Sequence, residues 1–296
     1  MNKISSLLFL IILFSCSSQT PRQNSKVVSN NDFKKSPAYI YQSGKDYHSS
    51  KTDTNFQSMS DESLNRISPD NNADINENDI LSTMIDLCYK KKFNQAFELA
   101  RTHTNQMMKV PTFWNQLATC YLLNGKERKA LLYFNKALEL APQYTPSLNN
   151  YGLIYLKQNS DQKALAAFVK SLEAKKFAKT PRFNMAQLLL SYGLADEALP
   201  IFRSLVSQAP KDVDILSGLA NSYFLLGDSR QSIEFFKQIP EKFQERPDIG
   251  INYAKVLYET GAKDQALEKI ENVNKPKNLE HQKYYQETFD LIKGKI

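Results

Sequence analysis

The sequence predicts an all-α solenoid of stacked helix–turn–helix repeats behind a long polar segment. Three observations predict it. Residues of matched size recur at a period of 34: Ala130 maps onto Ala96, Ala164, Ala198, Ser232 and Ala266, and Phe134 onto Phe168, Phe202, Phe236 and Ile270. Within one period the spacing is helical, because Trp114, Leu117, Ala118 and Tyr121 fall at i, i+3, i+4 and i+7, and Ala130, Phe134 and Ala137 at i, i+4 and i+7. Between the two helical stretches a breaker recurs at Gly125, Gly193, Gly227 and Gly261, with Asn159 and the run Lys90-Lys91-Lys92 standing in elsewhere. Glycine accepts φ > 0 at little cost, so it suits a tight turn between helices.

The chain begins with Lys3 and an apolar run from Ile4 to Phe14. That run is too short to span a bilayer and fits a signal peptide over residues 1–15. Leu13-Phe14-Ser15-Cys16 resembles the lipobox of bacterial lipoproteins. The resemblance implies acylation of Cys16, with diacylglycerol and acyl chains as the sole attached group, and an address on the periplasmic face of the outer membrane. Ordinary secretion with an incidental cysteine is the alternative. Residues 16–76 are rich in Ser, Asn, Asp, Gln and Lys, with scattered apolar residues such as Val27, Phe56 and Ile67. Such a stretch buries too little surface to offset its ordering entropy and is expected to be a disordered tether. Its one apolar cluster is Pro37-Ala38-Tyr39-Ile40-Tyr41.

The solenoid is expected over 77–296, with repeats at 77–110, 111–144, 145–178, 179–212, 213–246 and 247–277 and a capping helix over 278–292. Pro142 ends the second helix of its repeat. The spacing of Trp114, Leu117, Ala118, Tyr121, Ala130, Phe134, Ala137 and Pro142 resembles the tetratricopeptide repeat (TPR) family. That resemblance implies a right-handed superhelix. Irregular end repeats, such as the lysines at 90–92 and Ile270 with Val273, are expected of a solenoid.

Composition narrows the function. The net charge is +7, but no basic stripe interleaves with aromatic residues, so nucleic acid is not an expected partner. HExxH, CxxC, GxSxG, P-loop and GxGxxG patterns are absent, and the three histidines are scattered. The chain therefore reads as a non-enzyme without a metal or small-molecule substrate. Beyond Cys16 there are Cys88 and Cys120, at repeat positions 12 and 10 of consecutive first helices. Their azimuths differ by about 200° at about 100° per residue, which predicts two unpaired, buried thiols.

The TPR resemblance implies a concave face lined by positions 2, 5, 9, 12 and 13 of the first helices. The candidate partner-binding stripe is Leu122, Asn149, Leu153, Leu156, Lys157, Phe183, Gln187, Leu190, Asn221, Phe224, Lys255 and Tyr258. It is largely apolar with interspersed amides, the pattern of a peptide- or helix-binding surface. Packing against neighbouring helices is the competing reading for each of these residues. Asn149-Asn150-Tyr151-Gly152 resembles the TPR pilotins, lipoproteins that help the secretin of a type IV pilus reach the outer membrane. The expected function is a lipid-anchored, non-catalytic scaffold with an envelope protein, a secretin in the pilotin reading, as partner. The alternatives are an adaptor of another envelope machine, such as gliding motility, barrel assembly or peptidoglycan enzymes, and, from a different class, an enzyme or enzyme regulator, for which no motif speaks.

Overall fold

The computed structural model describes residues 79–276 and 279–294, all within the compact unit Lys35–Ile296. The expected signal peptide, acylated Cys16 and tether lie outside the described residues. Among the described residues there are fourteen helices and no strand. They pair as α1 (Ile80–Tyr89) with α2 (Phe93–Met107), α3 (Pro111–Leu123) with α4 (Glu127–Leu140), α5 (Thr145–Lys157) with α6 (Asp161–Ala174) and α7 (Lys179–Ser191) with α8 (Ala195–Val206). Next come α9 (Val213–Leu225) with α10 (Ser229–Gln238), the single turn α11 (Glu241–Gln244), α12 (Pro247–Glu259) with α13 (Lys263–Glu271), and α14 (Leu279–Ile292). From α3 to α12 the first helices start 34 residues apart. The fold is a TPR solenoid, with each hairpin packed on the next.

Local chemistry explains the punctuation. Proline occupies the first turn of α3, α5 and α12, where its missing N–H costs nothing. The turn inside each of the first six hairpins passes through the left-handed region. Its residue is Gly125, Gly193, Gly227 or Gly261 at φ 71–84°, Asn159 at 54° and Lys91 at 59°. The conformation is thus common to all six repeats, including the two that lack glycine. Side-chain caps start some helices: Asp212 accepts from the N–H groups of Asp214 and Ile215, and Asp228 from that of Gln231.

The core follows the period. Phe134, Phe168, Phe202, Phe236 and Ile270 are each completely buried. Small residues opposite them let the helices close: Phe134 lies among Ala118, Ala130 and Ile154, and a Cβ on Gly152 would run into the ring of Phe168. In the second repeat Trp114 stacks on Tyr133 at 5.7 Å between centroids, and its indole N–H donates to the Met108 carbonyl at 2.8 Å.

Two features depart from the sequence expectation. The fifth repeat has a third helical segment, because Pro240 ends α10 early and the chain turns once more as α11. Gln244 closes this turn by donating its side-chain N–H to the carbonyls of Phe236 and Ile239, at 3.3 and 2.6 Å. The cysteines are also paired: Cys88 of α1 and Cys120 of α3 form a disulfide across a Cα–Cα distance of 5.2 Å. The expected free thiols are therefore wrong. The azimuth argument placed both residues on one helical wheel, but α1 and α3 are neighbours that pack side by side. Side chains leaving two adjacent parallel helices in opposite directions can point at each other.

Candidate functional site

The first helices supply the candidate stripe, and it divides by depth. At repeat positions 5 and 9, Asn149 and Leu153, Phe183, and Asn221 are buried, and only Gln187 and Lys255 are half-buried. Leu156 and Leu190, at position 12 of the third and fourth repeats, are also buried. The rim differs: Leu122, Lys157, Phe224 and Tyr258 are half-buried, and Leu225 and Leu226 beside Phe224 are exposed. In α9 every residue from Val213 to Tyr223 is buried, so no face of that stretch is left to solvent. The continuous solvent-facing stripe suggested by the pattern is reduced to its rim.

The buried amides have structural work. Asn184 donates to the side-chain oxygen of Asn149 at 2.8 Å, and Asn149 donates to that of Asn150 at 3.2 Å. Asn150 in turn donates to the side-chain oxygen of Asn115 at 3.3 Å, which also accepts from Ser147 at 2.9 Å. This relay joins α7, α5 and α3. A separate contact of the same kind seats the last helix: Tyr284 donates to the Asn252 side-chain oxygen at 3.1 Å. Each member of Asn149-Asn150-Tyr151-Gly152 is thereby accounted for: two relay amides, a phenol that donates to the Leu131 carbonyl at 3.3 Å and to Asn135, and a glycine that admits Phe168. The helical period alone does not reveal this relay. The signal that could have found it is Asn at positions 5 and 6 of adjacent repeats.

Some polar groups in the deep part are left over. The side-chain oxygens of Thr119 and Asn221, both at repeat position 9, are buried without a hydrogen-bond partner, as is Oε1 of Gln116. At the rim, Lys157 bridges to Glu127 of the preceding repeat at 2.7 Å, Lys255 lies over the Tyr284 ring at 5.7 Å, and Lys263 over Tyr258 at 5.8 Å. Phenols along the array are pushed up in pKa. Tyr151 rises to about 12, through burial first and Tyr155 second. Tyr192 rises through burial first, then through its hydrogen bond to Asp161. Among the described residues no group of three His, Cys, Asp or Glu side chains could hold a metal ion. No described helix is long and apolar enough to cross a membrane.

The repeated hairpins and the first-helix face define a solenoid with the TPR fold. Residues 78–222 match the tetratricopeptide repeat family model. The chain is similar to anaphase-promoting complex subunit 3 of Schizosaccharomyces pombe, at 24% identity over 62% of this chain and 26% of that protein. It spans between about a quarter and about a half of the length of the curated relatives it matches. Among solved structures it resembles PilW, a widely conserved type IV pilus biogenesis factor, with a TM-score of 0.56 and 20% identity over 69% of this chain and 96% of PilW. It also resembles Pseudomonas aeruginosa PilF, with a TM-score of 0.60 and 13% identity over 70% of this chain and 96% of PilF. At these identities the likeness is one of fold.

Proposed function

We propose that this chain is a lipid-anchored, non-catalytic scaffold of the bacterial envelope whose first-helix rim holds a protein partner, with a pilotin-like role at a type IV pilus secretin as the specific reading. The observation that carries the scaffold role is the partly open apolar rim of Leu122, Phe224, Leu225 and Tyr258 along a first-helix face whose deeper positions are closed by packing. Apolar side chains left at a rim beside polar groups are what a helix or extended peptide covers. Support for the pilus reading comes from PilW and PilF, whose chains are matched almost throughout. Support for the anchor comes from Leu13-Phe14-Ser15-Cys16.

Leu153 and Phe183 are poor probes of binding, because both are buried and a carboxylate there disrupts the fold. Leu225→Glu with Leu226→Glu, at the two exposed rim side chains, probes the rim instead. Crosslinking and pull-down from solubilised membranes should recover a secretin with the parent chain, and at least about tenfold less with the rim variant, since a carboxylate is then buried against an apolar partner. The melting curves of the two chains should nearly coincide. Recovery of another envelope complex selects the adaptor role, and equal recovery by both chains removes the rim as the site. Labelled palmitate should enter the parent and not Cys16→Ala; labelling of both overturns the anchor.

A further inference from the structure

Eight large apolar side chains stand exposed among the described residues, and four of them fall where one hairpin hands over to the next. Met108 follows α2, Leu140 ends α4, Phe177 lies between α6 and α7, and Leu279 opens α14. Phe177 and Leu279 are the most exposed of the eight, at 70% and 80%. In a solenoid all such hand-over turns lie along one edge, opposite the turns that carry the glycines. Neighbouring hairpins pack roughly 8–10 Å apart. These side chains therefore project singly along a line and do not enclose a pocket.

Exposed lysines sit in three of the first four hand-over turns of this edge, after α2, α6 and α8. Lys175 and Lys176 are exposed beside Phe177, and the Lys176 ammonium lies 5.8 Å from the Phe177 ring centroid. Lys109 and Lys211 are exposed in the turns after α2 and α8. The carboxylates facing this stretch are fewer: Glu139 is engaged by Lys136 at 2.9 Å, Asp212 caps α9, and Glu173 is exposed. Beyond α10 the charges balance, with Glu241 and Glu245 around Lys242.

We propose that the hand-over edge centred on Lys175-Lys176-Phe177 rests on an anionic lipid surface. Isolated apolar side chains on a line suit a planar interface. An aromatic ring enters the headgroup region while the flanking lysines keep their charge at the phosphates. Each lysine held near an anionic leaflet adds a salt-sensitive attraction, and the attraction falls off within a Debye length. The contact is independent of acylation at Cys16 and orients the solenoid edge-on, leaving the first-helix rim free for a partner.

The test uses the full chain carrying Cys16→Ala, so that no acyl chain contributes and the N-terminal residues are common to every variant. Binding is measured by co-sedimentation with phosphatidylcholine vesicles with and without about a third phosphatidylglycerol. The parent should bind the anionic vesicles more tightly and lose binding as salt is raised. Adding Phe177→Ser, Lys175→Gln and Lys176→Gln together should weaken binding by about tenfold or more, with an unchanged melting curve. Leu132→Ser, at a site on α4 that is 62% exposed and away from the edge, should bind as the parent does. No preference for anionic vesicles, an unaffected triple variant, or an equal loss with Leu132→Ser each overturns the proposal. None of these outcomes bears on Cys16, whose acylation the palmitate label decides separately.

Discussion

Gly152 shows how much one hydrogen atom decides at the residue scale. Its α-carbon faces the ring of Phe168, which is wholly buried, so a methyl group there has no room. Gly152→Ala should destabilise the chain by about 1–3 kcal/mol through overpacking. Combining it with Phe168→Leu should cost less than the sum of the two single changes, because the smaller side chain yields the space. A double-mutant cycle by urea unfolding reads the coupling, and strictly additive losses would show that the two residues do not share one site. Lys91 makes the opposite case. It holds φ 59° where four other repeats have glycine, and a left-handed backbone costs an L-residue roughly 1–2 kcal/mol. Lys91→Gly should raise stability by about 1 kcal/mol, and Gly193→Ala, which meets no neighbouring atom, should lower it by about 1–2 kcal/mol through the backbone alone. Thermal melts of both variants check the signs.

Pairs of elements decide the stability of the array ends. α1 and α2 have a neighbouring hairpin on one side only among the described residues, and the Cys88–Cys120 disulfide ties them to α3. Closing a loop with a sequence separation of 32 stabilises by about 3–4 kcal/mol in the chain-entropy account. Reduction should therefore loosen the first hairpin before the others, since each repeat depends on its neighbours. Hydrogen exchange with and without reductant should show faster exchange confined to α1, α2 and the facing side of α3. Uniform loss of protection along the solenoid would argue that the bond supports the whole array. At the other end, Gln244 and α11 close the fifth repeat, and Tyr284 hydrogen-bonds to Asn252 to seat α14. A terminal helix thus caps the stack with a specific polar contact as well as apolar burial.

At the scale of the whole molecule the surfaces have separate duties. A wholly buried Phe or Ile anchors the hairpin interior of five repeats, the first helices are joined by amides across three repeats, and most of the exposed apolar side chains lie on the rim and hand-over edge. Because the amide relay runs from α3 to α7, a change in one member is felt along the array. Asn149→Leu should leave the buried side chains of Asn150 and Asn184 each short of a partner. It should destabilise by about 1–3 kcal/mol for each hydrogen bond lost, read as a broadened melt, whereas the change Leu226→Glu at an exposed rim side chain should have little effect on folding.

The sequence by itself determined the class, the period, the alternation of first and second helices and the turn position, because each depends on residues within one helix or one hairpin. Helical spacing selects which face is buried, and a fixed left-handed turn calls for glycine at one place in 34. What only the tertiary structure decided depends on the rotation and shift from one hairpin to the next, which no single-helix period contains. That geometry brings Cys88 to Cys120, lines up Asn115, Asn150, Asn149 and Asn184 as partners, and closes the deep positions of the stripe while leaving Leu122, Phe224 and Tyr258 partly open. Azimuth around one helix says which way a side chain leaves it; the placement of the neighbouring helix decides what it meets.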